Sequence, residues 1–162
     1  MSGERPRTGR AAPARLPAAI RRANESDAPQ ILRLVEDVVA EVYGHLFGGE
    51  RPPAPDGSEP WASGWVAEDR GSIVGVGLAP DDWLDDLWLA RAYRGRGLGA
   101  ALLACLEAQI AERGHAQAWL GVVAGNSAAR RFYLDHGWQE VSTYPHERWG
   151  FEMVDMTKPL RP

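Results

Sequence analysis

The run Arg94-Gly95-Arg96-Gly97-Leu98-Gly99 constrains this 162-residue chain more than any other segment. It stands between an apolar stretch, Leu84 to Leu89, that reads as a buried strand, and a helical pattern from Leu98 to Arg113. Three glycines at a strand-to-helix junction let the backbone pass close to a ligand, because no Cβ stands in the way. The first N–H groups of the helix have no partner within it and carry the positive end of its dipole. Such a junction suits a phosphate or pyrophosphate, and Arg94 and Arg96 add positive charge. The same six residues also suit a glycine-rich turn that holds nothing.

Three phosphate-binding patterns compete for this run. The P-loop needs a Gly-Lys-Ser/Thr ending, and the only lysine of the chain is Lys158, so that pattern fails. The dinucleotide fingerprint wants a third glycine where Ala100 stands, and an acid in the region held by Trp119 and Leu120. The third pattern, Arg/Gln-x-x-Gly-x-Gly/Ala after a strand, is filled completely by Arg94, Gly97 and Gly99.

Composition removes several classes of function. The chain length suggests one domain, residues 18–162, after an N-terminal tail, residues 1–17. That tail carries four arginines and three prolines and has no apolar stretch long enough for a secretory signal, so it reads as disordered. A net charge of −4 argues against bulk nucleic-acid binding. No apolar segment is long enough to span a membrane. The single cysteine, Cys105, lies on the apolar side of the expected helix and reads as a small core residue. The cytoplasm is the expected compartment, and a homodimer the default association.

Along the chain, Ala19 to Arg22 reads as a first strand. Ser26 and Asp27 are N-cap candidates for a helix carrying Ile31, Leu34, Val35, Val38, Val39 and Val42 at helical spacing. Residues 44–62, rich in glycine and proline, form a long loop, either disordered or functional. Strands follow at Trp65 to Glu68, Ser72 to Leu78 and Trp83 to Ala90. Leu98, Leu102, Leu106 and Ile110 make one face of the next helix, closed by Gly114. A strand from Ala116 to Val123, a helix opening at Asn126, and strands at Trp138 to Thr143 and Phe151 to Thr157 complete a mixed α/β sheet.

One strand after the glycine run comes Asn126-Ser127-Ala128-Ala129-Arg130-Arg131-Phe132-Tyr133-Leu134-Asp135-His136-Gly137-Trp138. Together the two motifs resemble the GNAT superfamily of acyl-CoA-dependent N-acetyltransferases. Asn126, Ala129, Tyr133, Gly137 and Trp138 fit its second signature, and Leu87-Trp88-Leu89 resembles the strand that enters its phosphate loop. Arg91 stands where the family usually has proline.

The resemblance implies a mixed, V-splayed sheet flanked by helices, the acyl-CoA N-acyltransferase fold. Acetyl-CoA would lie in the gap between the strand ending at Leu89 and the strand starting near Ala116. Backbone groups of Leu87, Trp88 and Leu89 would bond the pantetheine arm, and those of Gly95, Arg96, Gly97, Leu98, Gly99 and Ala100, with Arg94, would hold the pyrophosphate. Asn126 would contact the cofactor, although capping its helix is an equally good use for it. Tyr133 would protonate the departing thiolate, a role its phenol suits. Its alternative is to pack the helix on the sheet.

Asp85 and Asp86 precede this strand and alternate between its faces. Asp85 is the candidate base that accepts the amine proton; both could instead be solvated carboxylates. His146 and Glu147, between the last two strands, are candidate substrate contacts. His45, Phe47, Glu50, Trp61 and Trp65 are candidates to line the long loop, with packing the simpler role for each. No His/Cys/acid cluster has metal-ligand spacing, so no metal is expected. The implied activity is acetyl transfer to a primary amine of a small molecule. A protein N-terminal or lysine acetyltransferase is the first alternative, and a non-catalytic acyl-CoA-sensing module the second.

Overall fold

The computed structural model describes residues 15–53 and 55–161. The expected tail therefore falls mostly outside the described residues. Seven strands and three longer helices alternate as β1 (Ala19–Arg22), α1 (Ala28–Tyr43), β2 (Trp65–Asp69), β3 (Ser72–Leu78), β4 (Asp86–Leu89), α2 (Leu98–Glu112), β5 (Gln117–Val123), α3 (Ser127–Asp135), β6 (Gln139–Pro145) and β7 (Glu152–Pro159).

The entry to α1 differs in part from the expectation. Asp27 holds the N-cap position of α1, and Asn24 caps the short 3-10 turn Glu25–Asp27 before it: the Asn24 side chain accepts from the Ser26 N–H at 2.9 Å, and Asp27 Oδ2 accepts from the Asn24 N–H at 2.8 Å. Asp27 makes no side-chain cap on α1. Its two oxygens instead accept from Arg21, at 2.8 Å each. Pro29 fits the first turn of α1, where its missing N–H costs nothing. Ile31, Leu34, Val35 and Val38 form the buried stripe.

The strands make two antiparallel sheets, ordered β1-β2-β3-β4 and β5-β7-β6. They meet at one parallel bridge, Trp83 to Trp119. There the chain changes partner within two residues. The Leu84 N–H bonds the Trp119 carbonyl on β5 at 2.7 Å, and the Asp85 N–H bonds the Leu78 carbonyl on β3 at 2.9 Å. From that vertex β4 and β5 diverge, each keeping one edge unpaired by any strand. This is the V-splayed mixed α/β arrangement. The expected strand at Trp83 to Ala90 shortens to Asp86–Leu89, because its first residues belong to the vertex. It is half-buried rather than buried, since its free edge faces a cleft.

Helix α2 packs on both sides of this junction. Leu98, Leu102, Leu106 and Ile110 are fully buried, as their spacing requires. Close approach to the sheet depends on glycines in β3. A Cβ at Gly75 would stand 3.1 Å from Leu102 Cδ1 of α2, and one at Gly77 2.7 Å from Leu106 Cδ1. Beneath α2, Gln109 accepts from Trp65 Nε1 at 2.8 Å and from Arg22, and donates to the Ser63 carbonyl at 3.2 Å. The described part of the segment after α1 contains two short 3-10 turns, Gly44–Phe47 and Trp61–Ser63, and Trp61 is driven into the core under α1.

Candidate active site

A cavity of about 600 Å³ fills the space between the diverging strands. Asp85, Leu87, Trp88 and Leu89 line it from β4 and the vertex. Arg94, Gly95, Gly97, Gly99 and Ala100 line it from the glycine run, and Asn126 and Tyr133 from α3. The two sequence motifs thus meet across one cleft, although they are separated by a helix and a strand.

The geometry of the glycine run suits an anion. Gly95 and Gly97 have φ of +70° and +90°, a region that L side chains rarely adopt. Gly97 is the N-cap of α2 and has no side chain to satisfy the helix. The first helical bond runs from the Ala101 N–H to the Gly97 carbonyl at 3.1 Å. The N–H groups of Leu98, Gly99 and Ala100 precede it and are left for a ligand. The donor set and its dipole fit a pyrophosphate, and two unpaired strand edges beside it fit an amide-bearing arm. The Leu98 side chain is in the core and does not line the cavity, so only its backbone N–H is on offer to a ligand.

The two arginines behave differently. Arg94 lines the cavity, yet its guanidinium is bidentate on Glu41 of α1, at 2.8 and 3.2 Å, and its Nε donates to the Leu89 carbonyl at 3.1 Å. Arg96 does not line the cavity; its guanidinium lies 5.8 Å from the Tyr93 ring centroid.

Asn126 caps its helix and also lines the cavity. Its Oδ1 accepts from the Ala129 N–H at 3.1 Å and caps α3, and its Nδ2 donates to the Tyr43 hydroxyl at 2.7 Å. Tyr43, from the end of α1, was not singled out by the sequence. It lines the cavity and meets Trp88 edge-on at 6.1 Å. Burial pushes the Tyr43 phenol up, and still more the phenol of Tyr133, which lies against Trp138 and Phe132 at centroid distances of 5.8 and 5.2 Å.

Asp85 and Asp86 divide as strand alternation predicts. Asp85 lines the cavity, and partial burial raises its pKa. Asp86 accepts from Trp88 Nε1 at 2.7 Å on the α1 face. Burial pushes it to about 6, against the opposing hydrogen bond, and the charges of Asp85 and Glu59 add to the rise. Asp86 is the more perturbed carboxylate, and nothing in a two-residue Asp-Asp run says which member the fold will desolvate.

His146 and Glu147 do not line the cavity. His146 Nδ1 accepts from the Arg148 and Trp149 N–H groups at 3.2 Å each, so it shapes the β6–β7 turn. Glu147 is exposed there. Phe47 reaches that turn, with its ring 4.8 Å from Trp149 and 6.0 Å from Phe151, centroid to centroid. His45, Glu50, Trp61 and Trp65 do not line the cavity. Among the described residues no group of three His, Cys, Asp or Glu side chains could hold a metal. No described helix is long and apolar enough to cross a membrane.

A family model described as the acetyltransferase (GNAT) family matches residues 32–138. No curated protein sequence matches the chain. Among solved structures, the chain is similar to a ribosomal-protein-alanine N-acetyltransferase from Brucella melitensis, with 25% identity and a TM-score of 0.70 over 88% of this chain and 99% of that one. A putative acetyltransferase from Salmonella typhimurium, solved with its cofactor acetyl-CoA, has 19% identity and a TM-score of 0.69 over 90% of this chain and 95% of that one. An N-acetyltransferase from Thermoplasma acidophilum in complex with coenzyme A has 16% identity and a TM-score of 0.64 over 87% and 98%.

Proposed function

This chain belongs to the GNAT acetyltransferase family, and we propose that it moves an acetyl group from acetyl-CoA to the primary amine of a small molecule by direct attack. The observation that carries the reading is the cleft itself. Two strands with free edges diverge from Trp83 and Trp119, and an uncapped helix N-terminus stands at the open end.

The co-substrate supplies an activated thioester; the chain supplies the rest. The backbone of Leu87, Trp88 and Leu89 would hold the pantetheine arm. The N–H groups from Gly95 to Ala100, with Arg94, would hold the pyrophosphate. A main-chain N–H of this strand would also polarise the thioester carbonyl. Asp85, open to the cavity, takes the proton that a primary ammonium must lose before it can attack. Tyr133 stays protonated across the neutral range because burial raises its pKa, so its hydroxyl keeps a proton for the leaving thiolate. Cytoplasmic acyl-CoA pools fit this chemistry, and we place the protein there.

A small acceptor is favoured by Phe47. Its contacts with Trp149 and Phe151 tie the segment after α1 to the β6–β7 turn, which obstructs an extended polypeptide on that side. The named activity of the Brucella melitensis structure favours a second reading, a protein α-amine as acceptor. The deciding experiment is acetyl-CoA-dependent thiol release with pooled polyamines, arylalkylamines, amino acids, aminoglycosides and short peptides. Release with a small-amine pool is expected. Release with peptides alone moves the acceptor to protein. Silence in every pool, from protein that binds acetyl-CoA, overturns acetyl transfer to small amines.

A further inference from the structure

Tyr43 ends α1, the helix packed on the first sheet, and Asn126 opens α3, which follows β5 of the second. Their hydrogen bond, from Asn126 Nδ2 to the Tyr43 hydroxyl at 2.7 Å, joins the two arms of the V across the cleft. Both residues line the cavity. The direction of that bond is fixed. Asn126 Oδ1 accepts from the Ala129 N–H at 3.1 Å, so the amide nitrogen is the atom left to face Tyr43. The Tyr43 oxygen is therefore the acceptor, and its own proton has to go elsewhere. Among the described residues no second group bonds this hydroxyl.

The proton stays on the phenol. Burial raises the Tyr43 pKa and the Asn126 bond opposes the rise only in part, so the group is a neutral donor at neutral pH. Val38 and Val42 of α1 and Leu120 and Val122 of β5 line the same cavity, and their side chains offer no acceptor. In such apolar surroundings a donor gains more from a partner than it does in water. Two neighbours say which part of a ligand meets it. The Tyr43 ring lies edge-on to Trp88 at 6.1 Å, the middle residue of the strand whose main chain we assign to the pantetheine arm and the thioester. The charge of an ionised Tyr43 raises the phenol of Tyr133, the group assigned to the leaving thiolate, so the two hydroxyls serve one part of the cavity.

We propose that Tyr43 is a further catalytic residue: its hydroxyl, aimed by Asn126, donates to the thioester carbonyl oxygen of acetyl-CoA. This rests on the acetyl-transfer reading and adds a side-chain donor to the main-chain N–H of β4. As the amine nitrogen bonds the acetyl carbon, the carbonyl electron pair moves onto oxygen, where a donor already in place is worth most. The pair returns as the C–S bond breaks. The sulfur takes the Tyr133 proton, and the proton lost by the newly bonded nitrogen restores Tyr133; Asp85 has already taken the ammonium proton. Tyr43 keeps its own proton throughout.

The test binds acetyl-CoA, isotopically labelled at its carbonyl carbon, to the protein with no acceptor present, and reads the carbonyl stretch by difference infrared spectroscopy. Tyr43→Phe keeps the ring against Trp88 and removes only the donor. We expect its carbonyl band to move to higher frequency than in the native complex. With an acceptor, kcat falls about tenfold to a hundredfold and the acceptor KM stays near its native value. The CoA Kd also stays near its native value, which reports that the variant is folded. Asn126→Asp is the second variant: one Asp oxygen still caps α3, and the other accepts the Tyr43 proton and turns it away from the cavity. The same band shift is expected there with the Tyr43 hydroxyl present. An unshifted band in Tyr43→Phe overturns the proposal; if CoA binding weakens with it, the hydroxyl holds the pantetheine arm instead. A shifted band with native kcat overturns the catalytic role, and failure of the native protein to bind acetyl-CoA overturns the whole proposal. If the band shifts in both variants and no amine is acetylated, the Tyr43 contact stands and the acetyl-transfer reading fails instead.

Discussion

Arg94 grips Glu41 through two bonds, Nη1 to Oε1 at 2.8 Å and Nη2 to Oε2 at 3.2 Å, and so ties the glycine run to α1. The same guanidinium holds the Glu41 carboxyl below its usual range. A pyrophosphate on the glycine run has to share or displace that partner. Glu41→Gln is therefore expected to tighten acetyl-CoA binding by about threefold at low salt and less at high salt, since the competing pair is exposed and screened. Calorimetry at two ionic strengths measures it. Weaker binding in the variant would mean that Glu41 instead orients Arg94 for the ligand.

Tyr133→Phe keeps the ring that packs on Trp138 and Phe132 and removes only the hydroxyl. If the phenol protonates the thiolate, kcat falls about tenfold to a hundredfold while the acetyl-CoA Kd stays within error. The raised pKa of Tyr133 adds a condition: the wild-type rate shows no loss below about pH 10 attributable to this group. Unchanged kcat with a good acceptor removes Tyr133 from the chemistry and leaves it a packing residue.

Gly97 and Gly99 separate two uses of glycine. At Gly97, φ is +90°, so any side chain brings strain of about 1–2 kcal/mol, and Gly97→Asp also sets a carboxylate against the pyrophosphate. Loss of acetyl-CoA binding in a folded protein is expected. A Cβ at Gly99 meets Leu89 Cδ1 at 3.4 Å, ordinary contact, and its φ is not in the left-handed region. Gly99→Ala should keep its melting temperature and lose less affinity. Equal affinity of Gly97→Asp and the native protein would unseat the glycine run as the anion site.

What the sequence made legible follows from how local each signal is. Three glycines, an arginine and a helix start lie within seven residues, so the anion loop can be read from them. Tyr133 and Asn126 sit on one short helix at fixed spacing. The V-shaped sheet is not local. It depends on Leu84 and Asp85 bonding different strands, which apolar periodicity cannot distinguish. Tyr43, which lines the cavity, and Glu41, which holds a cavity-lining arginine, went unnoticed because tertiary pairing brings them in: Tyr43 by Asn126 and Glu41 by Arg94. Asn24, which the sequence did not single out, caps the short turn before α1, while both oxygens of Asp27 accept from Arg21.

Asp86 gives the fold a pH dependence whose sign can be stated. Its carboxyl rises from an ordinary 3.8 to about 6, mainly through burial, with Asp85 and Glu59 adding and the Trp88 hydrogen bond opposing. Between those two values the native state holds a proton that the unfolded chain releases. The contribution of this group therefore favours folding at low pH and is lost as pH rises through about 6. The full difference corresponds to at most about 3 kcal/mol, and incomplete burial reduces it. Asp86→Asn keeps an oxygen for Trp88 and removes the charge. It should raise the melting temperature at pH 8 by about 3–6 °C relative to the native protein, and change it little at pH 4.5. Other carboxylates, including Asp27 held low by Arg21, pull the opposite way in both proteins, so only the difference between variant and native is informative. A difference of the same size at both pH values would show that Asp86 does not titrate in this range and that its place beside Trp88 is solvated.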